Sequence, residues 1–231
     1  MKLLGISGDS KTVKGEASGY LTGIMYLIPN DYLCPNSLNA GCREGCLVSA
    51  GRGAFSNVAQ ARQRKTEWFA KDRDGFMLQL CEDIEALARK AKKASMIPCV
   101  RLNGTSDITW EKVGFKDTNG IYWSSLMRKY EDIIFYDYTK MPRRTDLKNY
   151  HLTFSGSVNP KYAKTMAKGL RLGIPMAIVF RKELPRVFMG RTVVDGDRHD
   201  LRFLDADGCV VGLKAKGKMR KDTTSGMVVD V

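Results

Sequence analysis

IPCVRLNGTSD, residues 97–107, sets a short apolar run against a polar turn. Six residues suit a strand better than a helix, and Asn103-Gly104-Thr105-Ser106-Asp107 is turn chemistry. The same succession recurs downstream. DIIFYDY (132–138) runs into Thr139-Lys140, YHLTF (150–154) into Ser155, PMAIVF (175–180) into Arg181, and RTVVD (191–195) into Gly196-Asp197. Between these runs lie helical segments, WSSLMRKY (123–130) and NPKYAKTMAKGLRLG (159–173). In the second of these, Asn159 caps, Pro160 takes the first turn and Gly173 closes the end. Continuous apolar runs suggest strands covered on both faces, hence parallel ones, and their alternation with helices suggests βα units. The predicted class is α/β: an incomplete β/α barrel of five to six mainly parallel strands, short of the full eightfold barrel.

Upstream of that pattern, Ser56 stands where an N-cap belongs, and NVAQARQRKTEWFAKD reads as a helix carrying Arg62, Arg64 and Lys65. A longer helix follows in GFMLQLCEDIEALARKAKKA. Its stripe of Phe76, Leu80, Ile84, Leu87 and Ala91 recurs at three- and four-residue steps, so one face is buried. Cys81, beside the stripe, reads as a buried structural thiol. Residues 1–33 read as irregular or β-rich, with a strand-like run over 20–29 ending at Asn30-Asp31. Gly8-Asp9-Ser10-Lys11-Thr12 faintly resembles a phosphate loop but lacks the GxxxxGK[ST] pattern. At the other end, LRFLDADGCVVGLKAKG predicts a C-terminal β-hairpin around Asp205-Ala206-Asp207-Gly208, with Cys209 as a small apolar residue at its edge. KAKGKMRKDTTSG predicts an exposed, mobile basic tail. No linker divides the chain. Residues 1–231 therefore read as one domain: an N-terminal segment (1–55) with a Cys-rich loop, a β/α core (56–200), and the hairpin and tail (201–231).

The net charge is +13. Such an excess attracts polyanions through their phosphates, so a nucleotide or nucleic acid is the expected partner. No apolar run reaches the length of a membrane span, and MKLLGISGDSKTV is too short in apolar residues for a secretory signal. A cytoplasmic protein is expected, whose six cysteines are thiols or ligands rather than disulfides.

In parallel β/α architectures, ligands gather beyond the carboxyl ends of the strands. The residues there form the candidate pocket. Asp107, Asp137 and Lys140 are the catalytic candidates. Arg101, Asn103, Tyr138, Thr153, Ser155 and Arg181 are candidates for holding a cofactor or substrate. Asp195, Asp197 and His199 follow the last strand. For the two histidines, His151 and His199, a surface or core role is the expectation.

CPNSLNAGCREGCLVSAGRG, residues 34–53, carries the sharpest chemical signal. It places Cys34, Cys42 and Cys46 in a Cys-x7-Cys-x3-Cys array before a Gly-Arg-Gly turn. Pro35, Gly41 and Gly45, next to the three cysteines, help the backbone turn the sulfurs inward. Three thiolates suit iron or zinc. A structural zinc normally takes four ligands, often from paired CxxC units, and these are not visible here; Cys99 or a histidine is a candidate fourth. A three-Cys [4Fe–4S] cluster leaves one iron open to a small molecule. Three free thiols are the alternative to any metal. The CxxxCxxC signature of radical S-adenosylmethionine (SAM) enzymes is not in the chain.

GYLTGIMYL, the Cys-rich loop, VRLNGTSDITWE, FYDYTK, YHLTFSGS and DGDRHDLRFLD together resemble a family of phage-encoded proteins across nearly the whole chain. The loop and the strands after it are similar to radical-SAM-like phage proteins, in which three cysteines precede a partial β/α barrel. The resemblance implies that fold, a [4Fe–4S] cluster on Cys34, Cys42 and Cys46, and a site in the VRLNGTSD and YDYTK segments. SAM is the cofactor such a cluster would use.

Two functions are expected to compete, with a metal-free phage accessory protein behind them. In the first, an enzyme, Arg101 and Lys140 neutralise phosphate or carboxylate while Asp107 and Asp137 hydrogen-bond a nucleotide or nucleic acid substrate. In the second, a nucleic-acid-binding protein, an iron–sulfur or zinc centre staples the loop. There Arg62, Arg64, Lys65 and the tail meet phosphates, and Trp68 or Trp110 stacks on bases.

Overall fold

The computed structural model describes residues 1–8, 10–43, 45, 46, 53 and 55–231. The Gly51-Arg52-Gly53 turn and the phosphate-loop-like stretch through Asp9 fall partly or wholly outside the described residues. In chain order the elements are β1 (Leu4–Ile6), α1 (Ser10–Glu16), β2 (Tyr20–Met25), α2 (Ser56–Lys71), α3 (Arg73–Lys93) and β3 (Ile97–Arg101). Next come β4 (Phe115–Lys116), β5 (Tyr122–Trp123), α4 (Leu126–Lys129), β6 (Ile134–Thr139), β7 (Tyr150–Ser155) and α5 (Ala163–Leu172). The chain ends with β8 (Met176–Phe180), β9 (Val187–Phe188), β10 (Arg191–Asp195), β11 (Val210–Lys214) and β12 (Val228–Val229).

The main sheet runs β1-β2-β3-β6-β7-β8-β11-β10-β9, with β12 added to β8. From β2 to β10 every neighbouring pair is parallel, and antiparallel strands cap the two ends. This is the predicted α/β architecture, a mostly parallel sheet that does not close into a barrel, but it is larger than five or six strands. Its two ends are tied by charge instead. Lys11 of α1 pairs with Asp197, just after β10, at 2.8 Å and donates to the Gly196 carbonyl at 3.0 Å.

The long helix α3 forms as its periodicity predicts. Asp72 caps it by accepting from the Gly75 amide at 2.9 Å, and Phe76, Leu80, Ile84, Leu87 and Ala91 are all buried. Gly23 of β2 lets Leu87 approach the sheet, because a Cβ there would stand 3.0 Å from the Leu87 methyl. Asp83, on the same helix, accepts the Leu3 and Leu4 amides at 2.5 and 2.9 Å and so fixes β1. In α5 the cap residue Gly173 takes the left-handed conformation (φ 65°), as a helix-closing glycine does.

Four expectations are corrected. The C-terminal hairpin does not form: residues 202–204 make a single 3-10 turn, and β11 lies between β8 and β10, parallel to both. The reason is burial, since Val210, Val211 and Gly212 are covered on both faces and need a strand on either side. The basic tail is not a free tail. Its backbone returns as β12 on β8, with Met219, Met227 and Val228 buried. WSSLMRKY contributes only the short α4, its Trp123 pairing with Phe115 in a separate two-stranded sheet. The opening segment holds α1, whose Gly15 packs against Leu201.

Candidate metal centre

Beyond the carboxyl ends of β3 and β6, three segments meet. The first is the Cys loop. Two successive turns build it: the Cys34 amide donates to the Asn30 carbonyl at 2.8 Å, and the Cys42 amide to the Ser37 carbonyl at 3.1 Å. Arg43 Nε holds Ser37 Oγ at 2.9 Å, and its guanidinium also pairs with Asp31. Cys34, Cys42 and Cys46 are each partly exposed, whereas Cys81, Cys99 and Cys209 are buried.

The second segment is the NGTSD turn after β3. The Asp107 amide donates to the Leu33 carbonyl at 2.7 Å, which docks this turn on the Cys loop. Asp107 Oδ2 accepts the Lys140 amide at 2.8 Å, while its Oδ1 is buried without a hydrogen-bond partner. The Lys140 ammonium lies among the Ser155 carbonyl (3.2 Å), Met227 Sδ (3.3 Å) and the Tyr162 ring (5.9 Å). Tyr162 also donates its hydroxyl to the Lys140 carbonyl.

The third is the C-terminal segment. β7 pairs with β8 only at Met176 and Ala177, and β12 takes the same strand at Val179 and Phe180. Where β7 departs, the Ser157 hydroxyl lies within hydrogen-bond reach of the Ala40 (2.8 Å) and Gly226 (2.9 Å) carbonyls and shares its single proton between them, which joins the Cys loop to the C-terminal segment. The contact is close enough to exclude side chains. A Cβ on Gly41 (φ 74°) would lie 2.2 Å from the Ser225 carbonyl oxygen, and one on Gly45 would lie 2.3 Å from Met219 Sδ.

Burial pushes the Cys34 thiol up to about 12, with Asp107, Cys42 and Cys46 adding to the rise and Lys140 opposing it. Burial lowers the Lys140 ammonium, and Cys42, Asp107, Cys34 and Cys46 act against that. The Asp107 carboxyl is raised, again chiefly by burial. In the absence of a ligand the Cys34 thiol stays protonated at neutral pH, and a bound metal would displace that proton. Among the described residues, no three His, Cys, Asp or Glu side chains are grouped as ligands of one metal ion. A single tetrahedral ion would draw thiolates to about 4 Å of one another. An iron–sulfur cluster takes each thiolate on a separate iron.

The remaining candidates divide. Asn103 serves its own turn: Oδ1 accepts from Ser106 Oγ, the Ile108 amide and Trp110 Nε1 at 2.9–3.0 Å. Asp137 is fully buried and accepts the Asn103 amide at 2.7 Å and Tyr150 Oη at 3.0 Å, with its carboxyl pushed up to about 7 by burial. Both are structural staples of the turn. Arg101 points to the other face of the sheet, stacked over Tyr138 at 4.7 Å and paired with Asp200 at 2.8 Å. Thr153, the register partner of Tyr138, shares that face and lines a cleft of about 210 Å³ with Arg202 and Phe203. Ser155 contributes its carbonyl to Lys140. Arg181 holds the C-terminal segment through Asp230 and the carbonyls of Arg220 and Asp222. His151 packs against Phe203, and His199 accepts from the Leu201 amide. Of the nucleic-acid set, Trp110 is buried, Arg62 lies buried over Tyr26, and Lys65 donates to the Leu3 carbonyl, so none of the three is free to meet a strand. Tyr162, Ser157, Met219 and Met227 were not among the candidates. Gly41 and Gly45 carried their only sequence signal, as positions where another segment must come close.

A family model, gene product 88, matches residues 3–230. The chain belongs to the gene product 88 family. That match runs from β1 through β12, and takes in the Cys loop and the C-terminal segment that closes on it. It agrees with the phage-type part of the resemblance and carries no sign of radical SAM chemistry. No curated protein and no solved structure matches this gene product 88 chain. No helix among its described residues is long and apolar enough to cross a membrane.

Proposed function

We propose that this gene product 88 protein is a radical-SAM-like iron–sulfur protein acting on a nucleotide or nucleic acid, with its cluster on Cys34, Cys42 and Cys46. The observation that carries the reading is the docking of the NGTSD turn on the Cys loop, Asp107 amide to Leu33 carbonyl, beside the buried Lys140 ammonium and beyond the carboxyl ends of parallel strands. When bound, a three-Cys [4Fe–4S] cluster supplies an electron and leaves one iron open to a small molecule such as SAM. The residues of this chain supply the setting. Lys140 balances the negative charge of the thiolates inside a water-poor site. Asp107 Oδ1, buried and without a partner, is an acceptor available to an amine or hydroxyl of the bound molecule. Tyr162 and Met227 wall the ammonium from solvent. Arg101, Asn103, Tyr138 and Asp137 stay outside this arrangement, because each is engaged elsewhere.

One observation favours a second reading, a metal staple in a nucleic-acid-binding protein. Gly41 and Gly45 press on Ser225 and Met219, so ligation at Cys42 and Cys46 would lock the C-terminal segment whatever the chemistry.

Anaerobic purification, with iron, sulfide and zinc analysis of wild type and Cys42→Ala and SAM binding measured on any iron-loaded protein, decides between them, an iron–sulfur centre that binds no SAM being a staple. About four irons and four sulfides per chain, lost in Cys42→Ala, are the expected result. One zinc selects the staple, and protein free of metal under these conditions overturns both.

A further inference from the structure

A groove of about 380 Å³ opens between the Cys loop and the C-terminal segment. Arg43, Lys218, Met219, Thr224 and Ser225 line it, together with Asp222, whose carboxylate is engaged by the Ser225 amide and hydroxyl. Its size is that of a small-ligand site. Met219 belongs to a small buried cluster with Ala215, Met227 and Val228, against which Cys42 packs, so the groove lies next to the Cys loop.

The surroundings of the groove have the composition of a single-strand nucleic acid platform. Lys218, Arg220 and Lys221 all sit on one short 3-10 turn, and all three are exposed. Leu38, which lines the groove, is 60% exposed, and Tyr32, 76% exposed, follows Asp31 in the chain, the partner of the groove-lining Arg43. An exposed aromatic ring facing an aqueous surface has no role in the core. Cations that follow a backbone, paired with a ring on which a base can stack, are what sequence-tolerant binding of single strands requires. The groove is narrow and mixed in polarity, which suits one unpaired base with its phosphate.

We infer that this groove binds single-stranded nucleic acid, its phosphates on Lys218 in the groove and on Arg220 and Lys221 of the same exposed turn, with a base against Tyr32. This rests on the nucleic acid part of the proposed function and is independent of which metal the cysteines hold.

The test is fluorescence anisotropy with short labelled DNA and RNA single strands over a salt series, using full-length protein. The triple variant Lys218→Glu, Arg220→Glu, Lys221→Glu is compared with Lys92→Glu, Lys93→Glu, a charge reversal on the far end of α3. The triple variant is expected to weaken binding by at least about tenfold and to flatten the salt slope by about 2, at about 0.7 per lost phosphate contact. Tyr32→Ala is expected to weaken it roughly tenfold with an unchanged slope. The ribose arm identifies RNA or DNA as the preferred strand. Equal losses in the triple and control variants would mean diffuse charge and would overturn the groove, as would duplex DNA competing as well as single strands. Iron content measured on the same samples separates the two ideas: a groove that binds in metal-free protein stands while the cluster falls, and the reverse holds if iron is present without binding.

Discussion

Arg101 Nη1 lies 2.8 Å from Asp200 Oδ2 although 99 residues separate them in the chain. The pair joins the end of β3 to the segment that follows β10, and Tyr136 Oη adds a bond to the same carboxylate oxygen at 3.3 Å. Both side chains are largely buried, at 12% and 4% exposure. Breaking such a pair leaves one charge stranded, so Asp200→Ala is expected to cost about 3–5 kcal/mol in urea denaturation. The double variant Arg101→Met, Asp200→Leu strands no charge, leaving only the Tyr136 hydroxyl without this acceptor, and is expected to unfold closer to wild type than Asp200→Ala. Equal destabilisation of the two variants would show that packing, and not charge, is what the pair contributes.

Asp137 makes stability depend on pH. Its carboxyl sits at about 7 in the fold, against about 4 in an unfolded chain. Between those values the folded protein keeps a proton that the unfolded chain releases. The contribution is therefore complete below about pH 4, falls as pH rises, and is gone above about 7. Its upper size is about 4 kcal/mol. Asp137→Asn keeps a polar group for the Asn103 amide and Tyr150 while removing the titration. Urea midpoints measured across this range are expected to fall with pH more steeply in wild type than in Asp137→Asn; parallel curves would count against the assignment.

Gly41 must be glycine for two reasons, a φ of 74° and the Ser225 carbonyl where a Cβ would be. Gly120, with φ 77° and nothing within 4 Å, shares only the first. Alanine at either site carries the backbone strain of about 1–3 kcal/mol. At position 41 it should also push the C-terminal segment away. Faster hydrogen exchange is expected at the Val158 and Arg181 amides, which donate to Gly226 and Val229, in Gly41→Ala but not in Gly120→Ala.

Deleting residues 224–231 is expected to damage the fold, in contrast to removal of a free tail. The deletion takes away β12, the buried Met227 and Val228, and the Asp230 partner of Arg181. Two buried side chains of this kind contribute about 3–6 kcal/mol, which corresponds to roughly 10 °C or more in Tm. An unchanged melting curve would show that β12 adds little to the sheet.

The sequence by itself determined the local structure. The period of Phe76, Leu80, Ile84, Leu87 and Ala91 defines α3, and short apolar runs ending in polar turns locate β3, β6, β7, β8 and β10. These signals are legible because they depend on neighbours within one or two turns of the chain. The three cysteines stand within thirteen positions of one another, so their spacing too is a local signal. Tertiary structure decided which strand-end residues share a place. Strand alternation turns Arg101 and Tyr138 to one face and Asp137 to the other, and a composition-level reading of strand ends does not resolve faces. It also decided the fate of the C-terminal residues. LRFLDADGCVVGLK has the local pattern of a hairpin, but β11 is flanked by β8 and β10 because Val210, Val211 and Gly212 need cover on both sides. The basic segment beyond it is held by contacts reaching back to Ala40, Ser157 and Arg181, at separations no local signal can report.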